Sequence, residues 1–188
     1  MHSLNQNIFL YINHFAGQNH KVDFLMTVIA QYIPYVCIGI LLYLWFTSEK
    51  NEALYSGYTT TLGVILNQII GIFYFHPRPF MDNLGVALLS HKPENSFPSD
   101  HTTFSLSIAL MLLTFKSTRI LGIIVSVFSL WCGVARVYCG VHYPFDILGS
   151  IVVAICSVII IRLFKNKLIY LNNYIILTYS KIIRISND

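Results

Sequence analysis

Charged side chains are scarce in this chain. Only 11% of its 188 residues are Asp, Glu, Lys or Arg, while 55% are hydrophobic; soluble domains carry about 25% charged residues. A soluble domain of this length has too little interior to hide so much apolar side chain, so the surplus must face lipid. A basic stripe interleaved with aromatics is also missing. The net charge is +4, but its basic residues are scattered between apolar runs, which excludes nucleic acid as a partner. No CxxC pair occurs. Cys37, Cys132, Cys139 and Cys156 each lie in or beside an apolar run and read as core or lipid-facing residues, not as a zinc or redox centre. The opening MHSLNQNIFLYINHF has neither the positive region nor the small-residue cleavage site of a removable leader, and insertion without processing is expected. Neither an internal repeat nor a second compositional regime is visible, so residues 1–188 are expected to form one membrane domain.

What is present is a series of long apolar runs. A span needs about 20 mainly apolar residues. Val22 to Phe46 qualifies, with Pro34 expected to kink it; Ala53 to Phe75 follows after the turn SEKN. A polar loop from His76 to Asp100 leads to a shorter run, His101 to Phe115, which reaches spanning length if Ser99 opens the helix. Ile120 to Tyr138 and Phe145 to Phe164 complete five spans. Asn5 to Phe15 is too short and too polar to cross and reads as a helix in the interface, a sixth span being the alternative. The tail from Lys165 mixes Lys, Asn and Ile and reads as interfacial or partly disordered. The fold class is therefore an all-α integral membrane helical bundle of five to six transmembrane helices. Its core covers about 23–164, between an interfacial segment at 1–20 and a cytoplasmic tail at 165–188.

With five spans, one face holds Lys50, Lys116, Arg119, Arg162, Lys165, Lys167, Lys181 and Arg184, and the other only Lys21, Arg78, Lys92 and Arg136. Lys and Arg collect on the cytoplasmic side, so the C-terminus is predicted to be cytoplasmic and Arg78 and Arg136 external. That external face gathers HPRPF after the second span, SFPSDH at the start of the third, and ARVYCGVHYPFD between the fourth and fifth. Ionisable groups at membrane depth are costly and mark functional sites. An interfacial anchor would account for one such residue. It does not account for Arg78, Ser99, His101, Arg136, His142 and Asp146 together.

These residue types suit phosphoryl transfer. Two guanidinium forks hold phosphate oxygens and neutralise transition-state charge. Ser99, after Pro98 and at a helix start, adds a hydroxyl and free backbone N–H groups to an anion site. His142 lies two residues before Pro144, a residue favoured in a first helical turn, and Asp146 then falls close enough to bind its imidazole. A carboxylate on one ring nitrogen leaves the other nucleophilic; His101 is free to act as general acid. His101, His142 and Asp146 could instead supply zinc ligands, but the adjacent arginines already bring the positive charge, and no metal or cofactor is expected. His91, Lys92 and Glu94 read as solvated loop residues, with Lys92 able to reach substrate.

Taken together, Arg78-Pro79, Pro98-Ser99 with His101, and Arg136, His142 and Asp146 in that spacing resemble the motifs of the membrane-bound type-2 phosphatidic acid phosphatase superfamily, which includes vanadium haloperoxidases. The resemblance runs from about Asp23 to Phe164. It departs at three places: the first motif's Lys is Gly71, the Gly before His101 is Asp100, and the Ser before Arg136 is Ala135. Gln68, one turn from Gly71 on the same helix face, is expected to donate in place of the Lys. Asp100 reads as an acid favoured by a helix N-terminus, or as a group that tunes His101. HPRPF with FPSDHTT is most similar to the bacitracin-resistance undecaprenyl diphosphatase branch. That likeness implies a bacterial plasma-membrane enzyme with undecaprenyl diphosphate as substrate and an extracellular active site, serving cell-wall carrier recycling. Phospholipid phosphatases of phosphatidylglycerophosphate or phosphatidic acid share these motifs. A non-catalytic transporter subunit would share the small bundle but tolerate loss of His101.

Overall fold

The computed structural model describes residues 2–186, and every regular element among them is helical. In chain order these are α1 (His2–Asn13), α2 (His20–Trp45), α3 (Lys50–Phe73), a single 3-10 turn (Pro79–Asp82), α4 (Asp100–Leu113), α5 (Arg119–Tyr138), α6 (Pro144–Leu163) and α7 (Lys165–Ser186). The helix starts follow local chemistry. Asn19 caps α2, its Oδ1 accepting from the Lys21 and Val22 amides at 3.0 and 3.3 Å, which begins the helix ahead of the predicted Val22. Ser99 is the N-cap of α4 and Pro144 opens α6, as the sequence suggests.

By length and composition α2, α5 and α6 can each cross a membrane. α3, at 24 residues, is about 36 Å long but more polar. α4 has 14 residues, about 21 Å, and sits at the centre against α3, α5, α6 and α2. The outer surface is apolar: Ile72, Phe73, Ile120 and Leu163 are between 75% and 85% exposed. The interior instead carries small hydroxyl residues. Thr59, Ser105, Ser150 and Ser157 each donate to the carbonyl four residues back on their own helix. Their polarity is thus met locally while the helices approach closely. Gly122 marks a close approach of α5 to the end of α4, since a Cβ there would lie 2.6 Å from the backbone nitrogen of Leu113.

α1, about 18 Å long, does not span; it docks across the end of the bundle where α5 stops and α6 starts. Phe9 is fully buried, edge-on to Tyr143 at 5.3 Å. Asn13 donates to Tyr138 O at 2.7 Å and pairs with Val86 in both directions. Asn5 accepts from the Phe145 amide at 3.0 Å. Of the two readings of the tail, interfacial or partly disordered, the second is replaced by one helix over Lys165–Ser186. Asn172 is buried and donates to Asn51 at 2.9 Å while accepting from Tyr58 at 3.0 Å. Trp45 meets Tyr179 edge-on at 4.9 Å. Residues 187–188 of the predicted tail lie outside the described range. The cysteines are free, three of them buried and Cys156 exposed.

Candidate active site

The site forms where the loop between α3 and α4 meets the turn between α5 and α6. Asn95 builds the loop: its Oδ1 accepts from the His76 and Phe97 amides at 2.8 and 3.3 Å, and its Nδ2 donates to Tyr74 O and Phe97 O at 3.0 and 2.9 Å. The Ser96 amide donates to His76 O at 2.8 Å, and the Phe97–Pro98 peptide is cis. On the other side, Gly140 turns the chain with φ +78°, a conformation costly for any residue with a side chain. A Cβ there would meet Val86 O at 2.3 Å. The Leu88 amide donates to Cys139 O at 3.0 Å and pins the loop to that turn.

These two segments seat Arg78 on His142. Arg78 Nη1 donates to Val141 O at 2.9 Å and lies 3.2 Å from His142 Nε2; Nη2 reaches Asn95 O at 3.2 Å and Glu94 Oε1 at 3.4 Å. The other ring nitrogen of His142, Nδ1, is 3.3 Å from Ser96 Oγ and 3.4 Å from Asp146 Oδ2. Asp146 Oδ2 also accepts from Ser96 Oγ and, at 2.7 Å, from the Tyr143 amide. Nδ1 faces acceptors and Nε2 faces a guanidinium donor, so these partners assign the proton to Nδ1 and the lone pair to Nε2. Burial pushes His142 down to about 3, against the opposing pull of Asp146. The imidazole is therefore neutral at physiological pH.

Arg136, in the last turn of α5, is 2% exposed and donates to Ala30 O at 3.3 Å, while its Nε and Nη2 meet no protein acceptor. Arg78 Nε is in the same condition. Buried guanidinium donors without acceptors are expensive and fit an anionic ligand. His101 is partly buried and lines a cavity of about 290 Å³ with Gln31, Tyr32 and Tyr35. Ser99 is fully buried, its Oγ 3.2 Å from Thr102 Oγ1 and its amide 3.4 Å from Asp146 O.

The structure thus joins Arg78, His142 and Asp146 by direct contact, brings the Ser99 amide to the Asp146 carbonyl and ties Arg136 O to the Val141 amide, while His101 lines a different cavity from Arg78. Gln68 lines a cavity of about 300 Å³ together with Arg78, Gly71, Asn67 and Asp100. Asp100 stands in the first turn of α4, where an acid at a helix N-terminus was expected, and accepts from Asn67 Nδ2 at 2.8 Å. Lys92 is exposed on the loop. Among the described residues no group of three or more His, Cys, Asp or Glu side chains could hold a metal ion. Sequence reasoning missed Ser96 and His76, the second of which lies 3.4 Å from Asp146 Oδ1 through its Nδ1. Both stand inside motifs already singled out, at the first positions of SFPSDH and HPRPF.

An all-helical bundle that presents paired arginines and a carboxylate-held histidine at the ends of its helices defines a class of membrane phosphotransfer protein. The chain belongs to the PAP2 superfamily, whose family model matches residues 52–170. The resemblance carried by the three motifs therefore holds. Undecaprenyl-diphosphatase BcrC of Bacillus subtilis (strain 168) is 38% identical over 155 residues, covering 81% of this chain and 79% of that protein. Among solved structures, Aquifex aeolicus LpxE superposes with a TM-score of 0.72 at 26% identity, covering 84% of this chain and 94% of that one. The transmembrane PAP2 type phosphatidylglycerolphosphate phosphatase of Bacillus subtilis gives 0.67 at 20% identity, covering 88% and 86%. The spanning helices and these membrane relatives make this a membrane protein.

Proposed function

We propose that this chain is an undecaprenyl diphosphate phosphatase, hydrolysing the anhydride to undecaprenyl phosphate and inorganic phosphate. The observation that carries the reading is the arrangement of His142, its Nε2 3.2 Å from Arg78 and its Nδ1 against Asp146 and Ser96. The 38% identity to an undecaprenyl-diphosphatase supports the choice of substrate.

In this reading Arg78, Arg136 and Ser99 grip the terminal phosphate. Nε2 of His142 attacks its phosphorus in line, an N–P bond forms, and the bond to the bridging oxygen breaks. The departing lipid phosphate takes a proton from His101. His101 then accepts a proton from water, which cleaves the phosphohistidine and releases inorganic phosphate. Positioning and charge neutralisation supply most of the acceleration. The two guanidiniums bring the positive charge that a metal would otherwise provide, so the scheme calls on none. The excess of Lys and Arg at the opposite ends of the helices supports an extracellular site with a cytoplasmic C-terminus. There the enzyme would serve carrier recycling and protect against bacitracin.

The test is phosphate release from undecaprenyl diphosphate by purified wild type and H142A, with and without chelator. Phosphate release by H142A is expected to disappear and wild type to ignore the chelator; an H142A enzyme with full turnover refutes the mechanism. Running phosphatidylglycerophosphate and phosphatidic acid in the same assay separates the phospholipid phosphatases. Faster turnover of either would overturn the substrate assignment.

A further inference from the structure

His76 belongs to none of the three motif positions that carry the family resemblance, yet it touches the carboxylate that orients the nucleophile. The two oxygens of Asp146 have different surroundings. Oδ2 meets the Tyr143 amide, Ser96 Oγ and His142 Nδ1, whereas Oδ1 faces His76 Nδ1 at 3.4 Å. A carboxylate held at one oxygen can still turn about its Cβ–Cγ bond; a donor at the second oxygen fixes that angle. Asp146 is fully buried and its Oδ1 accepts no hydrogen bond of full geometry among the described residues, so the 3.4 Å contact with His76 Nδ1 is placed to offset that oxygen's desolvation cost.

The ring of His76 is itself held. It lies nearly parallel to Tyr74, 12° between planes at 6.1 Å, and edge-on to Tyr143 at 5.1 Å. Its backbone is tied on both sides, the amide to Asn95 Oδ1 and the carbonyl to the Ser96 amide, each at 2.8 Å. One short stretch of loop thereby brings His76 Nδ1, at 3.4 Å, and the Ser96 hydroxyl donor to opposite oxygens of the same carboxylate. The His76–Asp146 contact borders a cavity of about 360 Å³ lined also by Asn5, Tyr74, Phe97 and Phe145, distinct from the one that holds Arg78 and Gln68.

We infer that His76 is a positioning residue of the active site, holding Oδ1 of Asp146 so that Oδ2 stays aimed at His142. The inference rests on the phosphohistidine reading, with His142 as nucleophile. Outer partners of this kind are typically worth about 10- to 100-fold in activity, and the loss belongs in kcat, because the phosphate-gripping residues are untouched.

The test compares H76F, which keeps an aromatic ring against Tyr74 and Tyr143 but has no N–H, with H76N, whose amide nitrogen falls near the place of Nδ1. H142A runs beside them, with undecaprenyl diphosphate as substrate. In H76F kcat is expected to fall about 10- to 100-fold with KM unchanged and with slower formation of the phosphoenzyme in a rapid-quench burst. H76N is expected to recover most of that loss. Equal losses in H76F and H76N, or an H76F enzyme as fast as wild type, would overturn the role while an inactive H142A leaves the phosphohistidine reading standing. Full turnover by H142A would sink both. If H76F does not fold, H76N against H76Q decides the point, since the Gln amide extends toward the place of Nε2 and away from Asp146; equal kcat in those two overturns the inference.

Discussion

Gly71 stands where the family's first motif carries a lysine, and its surroundings give a reason. A Cβ at position 71 would lie 3.1 Å from Asn95 Nδ2, and Asn95 uses four hydrogen bonds to shape the loop bearing Arg78 and Ser96. A long side chain there would have to displace that carboxamide. Gln68 lines the same cavity as Arg78, and we propose that its amide donates to a phosphate oxygen there. Substituting Gln68 with Ala is expected to lower kcat/KM roughly tenfold, the worth of about 1.4 kcal/mol for one hydrogen bond to a charged group. Steady-state kinetics on undecaprenyl diphosphate check this, and unchanged kinetics would remove Gln68 from the site.

At the scale of elements, the turn between α5 and α6 carries the greatest local demand. Gly140 combines a positive φ with a backbone oxygen 2.3 Å from any added Cβ, two residues before His142. G140A should cost at least about 1–2 kcal/mol from the left-handed conformation alone, and the contact with Val86 adds to it. We expect a lower unfolding temperature in detergent together with loss of phosphate release. Gly39, in mid-α2 with nothing within 4 Å of an added Cβ, is the control: G39A should match or slightly exceed wild-type stability. Equal effects at the two positions would show that the turn is not under the constraint described. α1 serves the same region from outside, since Asn13 and Asn5 tie its two ends to Val86, Tyr138 and Phe145.

For the whole molecule, the open prediction is its orientation in the bilayer. Lys92 lies on the loop at the site end and Lys116 in the turn between α4 and α5, both exposed. In a C156S background, K92C is expected to react with a membrane-impermeant maleimide on intact cells, and K116C only after permeabilisation. The opposite pattern would put the site in the cytoplasm and break the link to a carrier released outside. The other cysteines are buried, which keeps the labelling background low.

The five apolar runs, the short N-terminal helix and the spacing of Arg136, His142 and Asp146 could all be read directly from the sequence. Run length and motif spacing are properties of a few neighbouring residues, and the bilayer sets the length that matters. Which side chains meet was decided by the tertiary structure. Ser96 reaches Asp146 across 50 positions, and Asn172 reaches Asn51 across 121. Folding chooses such partners when buried polar groups must be satisfied somewhere in a nearly waterless interior. For the same reason the polar tail becomes a docked helix, and His76 becomes a neighbour of the Asp146 carboxylate.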